Sequence, residues 1–144
     1  MRRLPVVLLA GAIVFALGSC EAPPDEPRLV CGVRFAAPAG FDPLEPFEEE
    51  YPDHVGVRLG FRDERGREFH VFAGIPGEFG EGLPEAGTVE LVGDRTGRLA
   101  GGPHRVWVLT WEEGGMCDPR AVLGRGFDQR EFLDLLALAG IALR

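Results

Sequence analysis

Apolar and polar positions alternate most cleanly between Val55 and Arg62. Val55, Val57, Leu59 and Phe61 fall on one side, and Gly56, Arg58, Gly60 and Arg62 on the other. A period of two is that of a half-buried strand. Asp63-Glu64-Arg65-Gly66 supplies a turn, and Arg67 to Ala73 resumes the pattern, with Phe69 and Val71 on one face and His70 and Phe72 on the other. The pair predicts an antiparallel β-hairpin. Between His104 and Glu112, Val106, Val108 and Thr110 alternate with Trp107, Leu109 and Trp111. Both faces are apolar, which predicts a place in the interior of a sheet. Shorter strands are expected over 29–35, 88–92, 98–100 and 121–124.

The period changes near the C-terminal end. Over Gln129–Ala139, the residues Phe132, Leu135, Leu136 and Ala139 form the apolar stripe of a helix. Asp128 and Glu131 have capping-box spacing, Phe127 and Phe132 that of a hydrophobic staple, and Gly140 suits the position after the last turn. Phe41 to Asp53 carries too many prolines for a long helix. It predicts a single helical turn over 44–50, with Leu44, Phe47 and Tyr51 turned inward. Gly74 to Gly87 is dominated by glycine and proline and reads as a long loop. Strands followed by one amphipathic helix predict an α+β fold: a curved antiparallel β-sheet with the C-terminal helix packed on one face.

The first residues carry a different message. Arg2 and Arg3 precede an apolar run from Leu4 to Leu17, and Gly18 and Ser19 then lead to Cys20. Positive, apolar and small-residue segments in this order form a secretory signal. The run of fourteen residues is shorter than the roughly 20 needed to span a bilayer. Leu17-Gly18-Ser19-Cys20 resembles the bacterial lipobox. That resemblance implies cleavage before Cys20, acylation of the Cys20 thiol and the new N-terminus, and export. The chain would be lipid-anchored to the outer face of the cell membrane or to the outer membrane. Several acyl chains, at about 0.8 kcal/mol per buried CH₂, anchor stably where one does not. The expected organisation is a signal peptide over 1–19, the lipidated Cys20 with a short Pro/acid linker over 20–27, and one domain over 28–144.

Cleavage leaves 125 of the 144 residues, enough for one domain with a modest core. Losing Arg2 and Arg3 leaves 13 arginines against 23 acids, a charge of −10. Such a protein gains nothing from nucleic acid as a partner. With Cys20 taken by lipid, Cys31 and Cys117 are one pair in an exported chain, which predicts a disulfide between them. The chain has no Lys and no Asn, and its only Ser is Ser19, inside the signal. Serine nucleophiles, Schiff-base lysines and P-loop lysines are thereby excluded from the mature domain.

The order Pro38-Ala39-Gly40-Phe41, charged hairpin turn, Gly-rich loop, Val89 to Gly97, the Val106–Trp111 strand and a final helix resembles extracytoplasmic β-rich domains of unknown function. These occur in bacterial lipoproteins and after the membrane span of anti-sigma factors. The resemblance implies sensing or binding and brings no catalytic residues.

Strand alternation groups Arg58, Arg62, His70 and Phe72 on one face. If Trp107 and Trp111 join them, the surface would suit a small anionic or amphiphilic ligand; otherwise the tryptophans belong to the core. Two other classes compete. One is a hydrolase using Glu112 and Glu113, Asp63 and Glu64, or a metal held by His54, His70 and His104. Adjacent strand residues point to opposite faces, turn acids are usually solvated, and the histidines lack ligand spacing. The other is an envelope assembly protein making contact through the Gly74–Gly87 loop. No cofactor is expected. The partners implied are the lipid bilayer, through Cys20, and an envelope protein or small ligand.

Overall fold

The computed structural model describes residues 27–33 and 35–143. The expected signal peptide, Cys20 and the linker up to Glu26 lie outside the described residues.

Among the described residues, nine strands and one α-helix follow one another: β1 (Leu29–Val30), β2 (Phe41–Pro43), β3 (Phe47–Glu50), β4 (His54–Asp63), β5 (Glu68–Ala73), β6 (Glu85–Leu91), β7 (Arg95–Gly101), β8 (Val106–Trp111), β9 (Arg120–Arg125) and the helix α1 (Gln129–Leu138). The strands form one open sheet in the order β1-β4-β5-β9-β8-β7-β6, with β2 and β3 also paired to β4. The fold is α+β, as the patterning implies. Pairing is antiparallel except between β1 and β4, which run parallel.

The expected hairpin β4–β5 forms, with Phe61 facing Phe69, Leu59 facing Val71 and Arg58 facing Phe72. β8 lies inside the sheet between β7 and β9. Three segments differ from expectation. First, the strand expected over 29–35 stops at Val30. Cys31 still donates to the Val55 carbonyl, but the Gly32 amide turns back to Val30. Val33 and Phe35 then cross the core face as a strap, and the Phe35 ring lies 5.1 Å from Phe61 and 5.3 Å from Phe69. Second, no helical turn forms over 44–50. β2 and β3 pair antiparallel with β4 instead. Pro43 and Pro46 remove helix donors, whereas an edge strand tolerates a missing N–H. Phe47 is consequently exposed rather than inward. Third, β6 begins at Glu85, so the Gly-rich loop is shorter than expected.

The core occupies the helix-bearing face. Phe61, Phe69, Val71, Leu99, Trp107, Leu109 and Val122 from the sheet meet Phe127, Phe132, Leu135 and Leu136. The helix begins as predicted: Asp128 Oδ1 accepts from the Glu131 amide at 2.8 Å, and Glu131 Oε2 accepts from the Asp128 amide at 2.8 Å. It ends with Gly140 at φ 73°. There the Gly140 amide donates to Ala137 and the Ile141 amide to Leu136, the paired bonds of a Schellman cap. That cap turns the chain so that Ala142 bridges to Leu91 on the edge strand β6.

Candidate ligand site

Cross-strand register sorts the sheet into rows. On the helix side, one row contains Leu59, Val71, Val122 and Leu109, and the next contains Val57, Ala73, Arg120 and Trp111. Arg120 therefore occupies a core-side position on β9, two residues before the fully buried Val122. The row lies beyond the C-terminal end of α1, and a cavity of about 430 Å³ opens there. Its apolar walls include Val33 and Phe35 of the strap, Val71, Leu91, Trp111 and Ile141, and its polar groups are Arg95, Glu113 and Arg120. This volume falls in the range of small-molecule sites.

The polar groups are unequally satisfied. Glu113 Oε1 accepts from Arg95 Nη1 at 3.1 Å and from the Trp111 indole at 3.3 Å. Glu113 Oε2 lies 3.8 Å from Arg120 Nη2, an ion-pair distance but not a hydrogen bond. The Arg120 side chain is only 18% exposed. Its Nε is buried and has no hydrogen-bond partner among the described residues.

Two local devices hold these groups. The Asp118 carboxylate accepts from the Glu113 amide at 2.9 Å and the Gly114 amide at 2.8 Å, folding the loop that carries Glu113 back on itself. The predicted Cys31–Cys117 disulfide is formed, with the Cα atoms 5.4 Å apart. It joins that loop to the residue immediately before Gly32 and Val33, so one covalent link fixes two walls of the cavity.

The six residues grouped from the sequence do not share a surface. Trp107 lies on the helix side, 7% exposed, with its indole donating to the Phe127 carbonyl at 3.0 Å. Trp111 lies on the same side, half-buried, and lines the cavity. Arg58, Arg62, His70 and Phe72 do share the opposite face, and each meets a neighbour within the chain. Arg58 sits 4.9 Å above the Phe47 ring. Arg62 Nε donates to Glu68 Oε1 at 2.7 Å, and His70 Nε2 contacts Glu68 Oε2 at 3.2 Å. Phe72 is covered by Phe79 from the Gly-rich loop, with centroids 4.8 Å apart. The Arg62 and His70 contacts hold the Glu68 carboxyl below its ordinary value.

Sequence reasoning did not single out Arg120. The signal was present: in Arg120-Ala121-Val122-Leu123-Gly124 the cation shares its face with Val122, a charge in an apolar row.

Of the carboxylates considered for hydrolysis, Asp63 and Glu113 have structural partners. Asp63 accepts from the amides of Arg65 and Arg67 at 3.0 and 2.9 Å and from Arg67 Nε at 2.7 Å. Burial pushes its carboxyl up, but Arg67 and the two amides outweigh this and leave it below the ordinary value. Among the described residues, no three His, Cys, Asp or Glu side chains come together as a metal-holding group. His54 is instead clamped in place. Its Nε2 meets the Gly74 carbonyl at 2.7 Å, its Nδ1 meets Asp53 Oδ1 at 2.7 Å, and Tyr51 stacks on the ring. The Gly74 carbonyl, and after it Asp53, raises the imidazole above its ordinary value, and His54 in turn lowers Asp53.

No helix among the described residues is long and apolar enough to cross a membrane. Comparison with known proteins matches the chain to no family model, no curated protein and no solved structure.

Proposed function

We propose that this chain is an exported lipoprotein, anchored through acylated Cys20, whose domain is a non-catalytic ligand-binding module at the cell envelope. The cavity at the end of α1 carries this reading. Its lining is about half apolar and half polar, and it is framed by a disulfide and furnished with one incompletely paired guanidinium. Half-buried polar groups without partners cost free energy, and a recurring remedy is a bound ligand. The acidic net charge and the Leu17-Gly18-Ser19-Cys20 sequence support a domain tethered to a membrane rather than one bound to nucleic acid.

The test is native mass spectrometry of the full chain purified from membranes of an expressing bacterium. The expected result is a protein lacking residues 1–19, heavier by a diacylglyceryl and an acyl group, that carries a small molecule released by Arg120→Gln. An unmodified Cys20 overturns the anchoring. A ligand-free protein that also fails to bind any small apolar probe overturns the binding role.

A further inference from the structure

We propose that the cavity binds a small monocarboxylate with an apolar body, its carboxylate held end-on by the terminal nitrogens of Arg120. This rests on the ligand-binding reading above and names the ligand class.

Three observations point to it. The first is the edge that Arg120 offers. A guanidinium can present its two Nη groups as a fork, which matches the two oxygens of a carboxylate. In Arg120 the Nε is buried out of reach of a ligand, whereas Nη2 stands 3.8 Å from the nearest carboxylate oxygen, beyond hydrogen-bond distance. The second is the local charge. Arg95 and Arg120 face the single carboxylate of Glu113. The cavity thus holds one surplus positive charge in a chain whose formal charge is −8. Glu113 Oε1 is already occupied by Arg95 and Trp111, so the surplus falls to Arg120. The third is the lining. Beside the polar half of the lining, Val33, Phe35, Val71, Leu91 and Ile141 offer no hydrogen-bonding side chains, so a ligand body turned toward them is apolar. A single guanidinium edge with apolar walls suits one carboxylate better than a phosphate, which carries more oxygens needing donors.

The experiment uses the full chain, ¹⁵N-labelled and held in lipid nanodiscs, titrated with hexanoate, 1-hexanol and acetate. The Trp111 indole N–H resonance is the readout, because that group lines the cavity. Hexanoate is expected to bind saturably, at least about tenfold tighter than hexanol or acetate, the scale of a hydrogen bond to a charged group. Arg120→Gln is expected to bring hexanoate down to the hexanol level, and Arg120→Lys to keep part of the difference. If hexanol binds as tightly as hexanoate, or Arg120→Gln changes nothing, the carboxylate assignment falls and the cavity remains a binding site. Acetate binding as tightly as hexanoate removes the apolar body. If no probe shifts the resonance, the assignment and the reading beneath it both fall. Should Arg120→Gln not fold, the contrast among the three probes on the unaltered chain decides alone.

Discussion

The Phe132 ring fills the space in which a side chain on Gly124 would begin. A Cβ built on Gly124 would lie 2.6 Å from Phe132 Cδ2 and 3.2 Å from Phe127 Cδ2. Both rings are buried in the core, so neither has room to yield. Gly124 pairs with Phe69 on one side and Trp107 on the other, and its bare backbone lets α1 settle onto the sheet. Gly124→Ala is expected to cost about 1–3 kcal/mol through overpacking. Urea unfolding checks this, with Gly32→Ala as the control because a Cβ there meets nothing within 4 Å. Equal stability of the two variants would contradict the packing described.

Trp107 joins the same layer from β8. Truncating it to alanine removes a large buried ring and is expected to cost about 3–5 kcal/mol. Trp107→Phe keeps most of the volume but leaves the Phe127 carbonyl without its indole donor, at a cost of about 1–3 kcal/mol. Thermal melts of both variants beside the parent measure the two terms separately. A neutral Trp107→Ala would mean that the tryptophan is not part of the core.

These local features were legible because they depend on residues close in sequence. The hairpin from Val55 to Ala73 is fixed by alternation across a short turn. The start and end of α1 follow from Asp128, Glu131 and Gly140, all within the helix's own neighbourhood. The Cys31–Cys117 pair followed from chemistry rather than geometry, since reading Cys20 as a lipidation site leaves only two. What escaped depends on distant register. Phe41–Pro43 and Phe47–Glu50 become strands because β4 has a free edge to receive them, and nothing within that segment says so. The faces of Trp107 and Arg120 likewise follow from the pairing of β8 and β9 with their neighbours. A slip of one residue in that pairing would exchange the two surfaces. The cavity is therefore illegible until the sheet is assembled, even though the arginine in an apolar row was visible.

The disulfide closes a loop with a sequence separation of 86 residues. Loop-entropy arguments put its contribution at about 4 to 5 kcal/mol, with less in practice where the unfolded chain keeps structure. The Cys31→Ser/Cys117→Ser double variant is expected to unfold at a markedly lower urea concentration than the parent. It is also expected to loosen the cavity, since Gly32 and Val33 lose their link to the loop carrying Glu113. Urea melts of the parent with and without reductant offer the same comparison without mutation. Coincident melts for the oxidised, reduced and double-variant proteins would remove the disulfide from the stability of the fold.

His54 makes stability depend on pH in a direction that its contacts determine. The residue is 7% exposed, and both of its ring nitrogens face acceptors, the Gly74 carbonyl and the Asp53 carboxylate. Protonated imidazole donates to both; neutral imidazole must turn one lone pair toward an oxygen. The folded protein therefore holds the proton more tightly than the unfolded chain, and the pKa is raised above 6.5. A raised pKa contributes stability that is fully present below the unfolded value and is lost as pH rises through the folded value. The melting temperature is thus expected to decline from about pH 6.5 upward through neutrality. In His54→Gln the decline over that window should disappear, with lower stability than the parent at pH 6. Asp53 works in the opposite range: its lowered carboxyl contributes above the ordinary value of 3.8 and is lost on acidification. An NMR titration of the His54 ring, run beside the melts, tests the cause directly. A midpoint at or below 6.5, or an unchanged slope in His54→Gln, would show that the two acceptors do not hold the proton.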